Sequence, residues 1–270
     1  MGKTILITGA SSGIGKATAK HFQEKGWNVV ATMRNTSDGS ELSELGNVLV
    51  TRLDVTDDAS IESAINATVE QFGTIDVLVN NAGYGAGGPF EAIPMEKIRR
   101  QFEVNVFGLL ATTQAVLPVM RKQKSGTIVN ISSIGGRVTL PMFSMYHGTK
   151  WAVEGITESL QYELEPLGIK LRIVEPGAIA TDFAGRSLDF NNDESLTEYQ
   201  GIVSALMGAM TEMVGNASPA SKVAQVIDEA IHGDKLRYLV GEDAEQMMQA
   251  RNTMSDSEYL QMTKERFSLN

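Results

Sequence analysis

The chain of 270 residues contains no cysteine. This absence excludes disulfide bonds, thiolate metal sites and a cysteine nucleophile. Histidine is scarce as well, with 3 residues, and no group of histidine, aspartate and glutamate residues has the spacing of a metal site. We therefore expect no bound metal. A chain of this length buries enough apolar surface to fold without covalent or metal cross-links.

The chain has fewer basic than acidic residues. It contains 23 Lys and Arg residues and 33 Asp and Glu residues, which gives a net charge of −10. This charge disfavours nucleic acid as the main partner, because phosphate binding needs a basic surface. No uninterrupted apolar run approaches the roughly 20 residues of a membrane span, and the first run, residues 5–7, is too short for a signal-peptide core. The sequence therefore predicts a cytoplasmic protein without nucleic-acid or membrane partners.

Short runs rich in valine and isoleucine recur along the chain. They cover residues 4–7, 28–31, 48–53, 76–79, 127–131, 170–174 and 237–240. Stretches with helical periodicity lie between most of them, and such alternation is typical of a parallel sheet covered on both faces. Right-handed crossovers then favour an α/β fold with a Rossmann-like, doubly wound parallel sheet of about seven strands. We expect a single domain over residues 1–270.

Two segments interrupt this alternation. About 40 residues, 177–219, separate a predicted strand from a predicted helix, and connections of that length are usually functional. We expect a substrate lid at residues 183–217, with an amphipathic helix whose apolar stripe is Tyr199, Val203, Leu206, Met207, Met210, Met213 and Val214. The alternative is that this stripe simply packs on the body of the domain. The polar tail, residues 241–270, is expected to be helical in part.

The first predicted strand runs into a glycine-rich turn, Thr8-Gly-Ala-Ser-Ser-Gly-Ile-Gly15. Such a turn leaves backbone N–H groups unpaired at the positive end of a helix, which suits the pyrophosphate of a dinucleotide. The candidate contacts are Gly9, Ser11, Ser12, Gly13, Ile14 and Gly15. A tight turn without a ligand is the alternative.

Three further strand ends carry candidate cofactor contacts. Met33 and Arg34 follow the second strand, where an acid would hold ribose hydroxyls and an arginine would accept a 2′-phosphate, so NADP(H) is favoured over NAD(H) unless Arg34 is only solvated. Asp54 and Val55 follow the third strand, although Asp54 could instead cap the helix near Asp57. Asn81, Ala82 and Gly83 follow the fourth strand, as ligand contacts or as an Asn-rich turn.

A possible proton donor follows the fifth strand. Tyr146 comes 13 residues after Ser133, and Lys150 follows four residues later, one helical turn away. An ammonium near a phenol lowers the phenol pKa, and a tyrosine tuned in this way can exchange a proton near neutral pH. Taken alone, the pair could be an accidental surface pair. We expect a passive role for His147, which adjoins Tyr146.

Together these segments make the chain similar to the classical short-chain dehydrogenase/reductase family. The resemblance covers residues 3–182 and, more loosely, 219–241. It implies that Tyr146 is the general acid/base, that Ser133 binds the substrate carbonyl, that Lys150 binds the nicotinamide ribose, and that Asn105 holds a relay water. Ser132 competes with Ser133, but the spacing favours Ser133. Tyr146 and Lys150 would also contact the cofactor, and Pro176, Gly177, Ile179 and Thr181 match the segment beside the nicotinamide.

The same resemblance places the substrate pocket around apolar side chains: Tyr84, Val138, Leu140, Met142, Phe143, Met145 and Ala184. It implies an NADP(H)-dependent oxidoreductase that interconverts an apolar ketone or aldehyde and its alcohol. An NADP-sensing regulatory protein with vestigial catalysis, and an isomerase that uses the cofactor transiently, are the alternatives. A homodimer or homotetramer is implied through helices near residues 107–120 and 145–167.

Overall fold

The structure, a computed structural model, describes residues 2–181 and 187–269, without the side chains of Glu212 and Val214. Its strands are β1 (Thr4–Ile7), β2 (Asn28–Met33), β3 (Val48–Arg52), β4 (Val77–Asn80), β5 (Gly85–Gly87), β6 (Gly126–Ile131), β7 (Ile169–Pro176), β8 (Ile179–Ala180), β9 (Leu188–Phe190), β10 (Ser218–Pro219) and β11 (Arg237–Val240). Its α-helices are α1 (Gly13–Glu24), α2 (Ser40–Ser43), α3 (Asp58–Phe72), α4 (Met95–Phe102), α5 (Gly108–Gln123), α6 (Ser144–Leu164), α7 (Gln200–Gly215), α8 (Ala220–His232), α9 (Glu242–Thr253) and α10 (Asp256–Arg266).

Seven strands form one parallel sheet in the order β11-β7-β6-β4-β1-β2-β3. The predicted sheet is confirmed, and all seven apolar runs belong to it. Two strands extend further than predicted: β2 continues to Met33 and β7 to Pro176. Glu175 is polar, but it is only 2% exposed and the strand continues through it.

Helices cover both faces of the sheet. On one face α1 and α8 pack together over β1, β2, β6 and β7, with Phe22, Val223 and Ile227 completely buried. On the other face α3, α5 and α6 contribute Ile61, Val116 and Leu164 to a second core. Each such side chain contributes roughly 1.5–3 kcal/mol when it is removed from water. Two apolar faces per strand explain why the strand sequences are almost continuously hydrophobic.

The strand order reverses between β1 and β4, which lie side by side at the centre of the sheet. Their carboxyl ends lead to loops that run to opposite sides, so a crevice forms between them. In open α/β sheets ligands bind at such a point. The glycine-rich turn after β1 and the segment Asn81–Gly83 after β4 therefore begin side by side.

The predicted lid is partly described. Ala184 and the first residues of the lid lie outside the described residues, and so does the side chain of Val214. From residue 187 onward β9 pairs with β5, and α7 supplies the predicted apolar helix. The tail forms α9 and α10, which confirms that it is helical in part.

One helical segment, Met95–Gln123, is long and apolar enough to cross a membrane by length and composition. It contains no long uninterrupted apolar run, because threonine, glutamine and charged residues interrupt it. Val116 and Met120 on this segment are completely buried in the core beneath the sheet. That position is typical of the core helix of a globular domain.

Candidate active site

The glycine-rich turn is braced by the loop after β4. The Asn81 side-chain amide donates to the backbone carbonyls of Thr8, at 2.9 Å, and Gly9, at 3.1 Å. The Thr8 hydroxyl accepts the N–H groups of Asn81 and Ala82, each at 3.0 Å. Asn81 therefore holds the glycine-rich turn in shape, and it also lines the cleft.

The turn itself is shaped for a close-lying anion. Gly9 and Gly13 have positive φ angles of 68° and 54°, which side chains disfavour. A side chain at Gly15 would overlap the Gly9 carbonyl and the Asn81 amide. Ser12 caps α1 without a hydrogen bond from its side chain, and the first turn of α1 contains no acid. The positive helix end thus faces the cleft with its hydroxyl and backbone donors available, which fits a dinucleotide pyrophosphate.

The end of β2 presents a cation to the same cleft. Met33 is 2% exposed and packs beneath the chain at Gly39, whereas Arg34 is exposed and lines the cleft. Arg34 takes part in no ion pair within residues 2–181 and 187–269. Lys16, in contrast, pairs with Glu41 at 2.5 Å. Arg34 is therefore placed to meet an anionic group at this end.

Asp54 and Val55 line the cleft after β3. The Asp54 carboxylate accepts the Thr56 N–H at 3.0 Å and the Thr56 hydroxyl at 2.8 Å, a local turn that fixes its side chain. The cap of α3 is Asp57, whose carboxylate accepts the Ser60 N–H at 3.2 Å. The alternative that Asp54 caps this helix is therefore wrong.

Ser133, Tyr146 and Lys150 come together beside the end of β6. Ser133 opens the turn Ile134–Gly136, and its hydroxyl accepts the Gly135 N–H at 3.0 Å. A second hydrogen bond joins Ser133 to the Tyr146 phenol. Lys150 lies one turn along α6, with Nζ 5.8 Å from the centre of the Tyr146 ring and donating to the Ile131 carbonyl at 2.8 Å. Ser132 is buried, and its hydroxyl lies beside Gly136.

The ionisation of this cluster differs from the sequence prediction. Burial raises the pKa of Tyr146 above its ordinary value of 10, and the hydrogen bond with Ser133 opposes the change. Burial lowers the pKa of Lys150 to about 8, and the Glu154 carboxylate opposes that change. Burial is thus the largest influence on the phenol in this structure, and the expected lowering of its pKa by Lys150 does not appear. The phenol keeps its proton at neutral pH.

Asn105 lies in a single π-helical turn, Glu103–Phe107, between α4 and α5. Its amide accepts the Tyr84 N–H at 3.0 Å and donates to the Tyr84 carbonyl at 2.8 Å and to the Thr149 hydroxyl at 3.2 Å. Such turns are frequent at functional sites. Asn105 thus connects the loop after β4 to the helix that carries Tyr146 and Lys150.

A buried amide network below these residues was not recognised in the sequence. Asn80 donates to Asn130 at 2.9 Å and to the Thr113 hydroxyl at 3.0 Å, and Asn130 donates to the Thr157 hydroxyl at 2.9 Å. Because Asn80 and Asn130 are paired in the β4–β6 register, the network ties α5 and α6 to the sheet. The only available signal was an asparagine at the same place in two apolar strands.

The segment after β7 closes the far end of the cleft. Pro176, Gly177, Ile179 and Thr181 all line the cleft. Asp243, from the first turn of α9, accepts the Ala178 N–H at 2.7 Å, and its carboxylate occupies the space that a side chain at Gly177 would need. The tail thus holds this segment in place, a contact that local sequence could not reveal.

The cleft has a volume of about 640 Å³. Its apolar end is lined by Tyr84, Val138, Leu140, Phe143, Leu206, Met210, Met213, Met247 and Phe267. Of the predicted pocket residues, Met142 packs behind Phe143, and Met145 is not among the described residues that line the cleft. Met207 is 38% exposed and is not among the described residues that line the cleft. Phe267 and Met247 come from the tail, and Arg100 and Asp189 also line the cleft.

The comparisons with known proteins agree on one family. The model of the short chain dehydrogenase family matches residues 3–192. An uncharacterized oxidoreductase of Schizosaccharomyces pombe is 38% identical over 239 residues, which are 88% of this chain and all of that protein. An NADPH-dependent 3-dehydrocapnine reductase of Ornithobacterium rhinotracheale is 35% identical over 87% of both chains. A short-chain dehydrogenase from Streptomyces avermitilis superposes with a TM-score of 0.83 and 35% identity, over 99% of this chain and 98% of that one.

Proposed function

The chain belongs to the short-chain dehydrogenase family of oxidoreductases, and from this premise we propose that it is an NADP(H)-dependent reductase of apolar ketones or aldehydes. The observation that carries the proposal is a cleft that joins the glycine-rich turn and Arg34, at one end, to Ser133, Tyr146 and an apolar pocket at the other.

The cleft fits the cofactor. The turn of Gly9–Gly15 and the first N–H groups of α1 would hold the pyrophosphate, Arg34 the 2′-phosphate, and Pro176–Thr181 the nicotinamide end. A bound nicotinamide dinucleotide supplies or accepts the hydride. The relative that is named NADPH-dependent supports this choice of cofactor.

The protein's own residues would handle the proton. The Ser133 hydroxyl would donate a hydrogen bond to the substrate oxygen, and Tyr146 would give up its phenolic proton as negative charge develops there. Because burial raises the pKa of Tyr146, the phenol carries that proton at neutral pH, the state needed for reduction. Lys150 would place its ammonium near the developing phenolate, and Asn105 would position a relay water.

The pocket favours an uncharged carbonyl compound with a sizeable apolar group. Aliphatic, aromatic and methionine side chains line it from the loop after β6, from α7 and from the tail. Methionine adapts to ligands of several shapes, so we expect a broad substrate range. Arg100 and Asp189 could meet a polar group on the substrate.

We further propose that the protein is cytoplasmic and forms a homodimer or homotetramer. Phe107 is 56% exposed at the start of α5, and Trp151 is 47% exposed on α6. Exposed aromatic residues on two of the core helices suit burial against a second copy of the chain.

A direct assay tests the proposed function. The protein is mixed with NADPH or NADH and a panel of aliphatic and aromatic ketones and aldehydes, and the absorbance of the reduced nicotinamide is followed. We expect carbonyl-dependent oxidation of NADPH. NADPH binding without turnover of any panel member would favour a sensor, and conversion of a substrate without net NADPH consumption would favour an isomerase.

A further inference from the structure

The side chain of Lys150 is buried, so its amine is poorly hydrated. Its side chain is 9% exposed, and its Nζ donates to the Ile131 carbonyl. A carbonyl satisfies one of the three ammonium protons but supplies no negative charge. Burial therefore lowers the pKa of Lys150 to about 8. If Lys150 is to act as a cation beside Tyr146, another group must offset the loss of hydration.

Glu154 lies one turn further along α6, on the same face, and is 4% exposed. Side chains four residues apart on a helix are neighbours. Its Oε2 accepts the Arg237 Nε–H at 2.8 Å, so a cation from the edge strand β11 pairs with this side of the carboxylate. Its Oε1 is buried and has no hydrogen-bond partner among the described residues. Oε2 is thus paired with the Arg237 guanidinium, whereas Oε1 has no hydrogen-bond partner among the described residues.

We propose that Glu154 is a positioning residue that keeps Lys150 in its ammonium form and is itself anchored by Arg237. This inference rests on the proposed function in one respect: the proposed reaction uses the positive charge of Lys150. The unpaired Oε1 supports it, because leaving a buried carboxylate oxygen unsatisfied is costly and a carboxylate that served packing alone could be an apolar side chain.

The other ionisable groups around Glu154 do not replace it. Arg137, from the loop after β6, pairs with Glu175 of β7 at 3.4 Å. Burial and the nearby Glu154 raise the pKa of Glu175 to about 7, and above that pH Arg137 and Arg237, whose Nε lies 3.8 Å away, compensate its charge. Tyr146 is protonated, and Glu158 is exposed and pairs with the outer nitrogen of Arg237 at 2.6 Å.

The charge on Lys150 can be measured without a substrate. The full chain is labelled with lysine enriched in ¹³C at Cε, and the Lys150 resonance is assigned as the one missing from Lys150→Arg. Its titration midpoint is then compared in the unaltered protein, Glu154→Gln and Glu158→Gln. The last variant is a matched control, because Glu158 binds the same arginine but is exposed and lies one turn further from Lys150.

We expect Glu154→Gln to lower the midpoint of Lys150 by about one pH unit, the lower end of the effect of an opposite charge at 4–6 Å. Glu158→Gln should leave it unchanged. Glu154→Met removes the same charge with a similar volume and serves if the glutamine variant does not fold. An unchanged midpoint in the folded Gln or Met variant, or equal shifts in both Gln variants, would overturn the proposal.

Activity provides a second readout. The alkaline limb of the kcat profile should move to lower pH in Glu154→Gln, should be restored in part by Glu154→Asp and should stay in place in Glu158→Gln. A protein that oxidises no NADPH would contradict the proposed function, whereas the titration of Lys150 would still decide the role of Glu154. A shifted midpoint with an unshifted kcat limb would overturn the link to the reaction.

Discussion

His147 follows Tyr146 on α6 and is buried, and both of its ring nitrogens are in use. Nε2 accepts the Leu140 N–H at 2.8 Å, so Nδ1 must carry the proton that it donates to the Gly135 carbonyl at 2.8 Å. Burial lowers the pKa of His147, which favours this neutral form. His147 therefore holds the loop between Ser133 and Phe143, a structural role that agrees with the passive role expected from the sequence.

The first prediction concerns Tyr146 itself. Tyr146→Phe removes the phenolic proton donor and keeps the ring in place. We expect kcat to fall by about 10²–10⁴-fold, the contribution of general acid catalysis, while NADPH binding, measured by fluorescence titration, stays within a few-fold of the unaltered protein. Tyr162→Phe, a change on the exposed part of α6, is the control. Near-normal turnover of Tyr146→Phe would remove Tyr146 from the mechanism.

The second prediction concerns cofactor choice. Arg34 is exposed at the cleft, and a charge-assisted hydrogen bond to a 2′-phosphate contributes roughly 1.5–3 kcal/mol. We expect kcat/KM with NADPH to exceed that with NADH by at least about tenfold, and Arg34→Ala to remove most of this difference by weakening NADPH alone. Arg99→Ala, an exposed arginine on α4 that does not line the cleft, should change neither cofactor. Equal kcat/KM values in the unaltered protein would show that Arg34 is only solvated.

Two methionines of the lid helix α7, which the sequence could not tell apart, have different surroundings in the structure. Met210 lines the cleft and packs with Phe143, Leu206 and Phe267, whereas Met207 is 38% exposed. We expect Met210→Ala to change the ranking of ketones of different size by several-fold in kcat/KM, with the KM for NADPH unchanged. Met207→Ala is the matched control and should leave the ranking intact. A uniform loss of thermal stability in Met210→Ala, with unchanged selectivity, would favour simple packing.

The strands, helices and site residues show which features of the structure can be predicted from the sequence. The strands were predictable because their burial on both faces leaves a local, nearly continuous apolar signature. Ser133 was predictable because it follows a strand, and Tyr146 and Lys150 because they lie one helical turn apart, whereas Asn105 rested only on the family resemblance. Asp243 and Phe267 were missed, since their contacts join residues far apart along the chain and the tail around them is polar. The direction of the Tyr146 pKa was missed for a related reason: burial depends on the whole cleft.

At the scale of the molecule, ion pairs next to the active site join α6 to β11 and the loop after β6 to β7. Arg237 of β11 pairs with Glu154 and Glu158 of α6, and Arg137 of the loop after β6 pairs with Glu175 of β7. Glu154 and Glu175 are both almost completely buried, and the Glu154 carboxylate disfavours ionisation of Glu175. The stability of the fold is therefore linked to pH through Glu175.

The direction of that link follows from the raised pKa. Glu175 has a pKa of about 7 in the fold and an ordinary value of 4.5, so the folded protein binds this proton more tightly than the unfolded chain does. Stability is then highest below pH 4.5 for this group and falls as the pH rises to about 7. Above that pH the group is ionised in both states and its contribution no longer changes.

Glu175→Gln tests this link, because glutamine keeps the shape of the side chain and cannot ionise. The free energy of unfolding, measured by urea denaturation, should decrease less between pH 5 and pH 8 in the variant than in the unaltered protein, by up to about 3 kcal/mol. Loss of the bond to Arg137 adds an offset that does not depend on pH in this range. Glu158→Gln is the control: its exposed carboxylate has a lowered pKa, so its effect on stability changes only in acid. If Glu175→Gln and the unaltered protein lost stability in parallel from pH 5 to pH 8, Glu175 would not hold its proton in the fold.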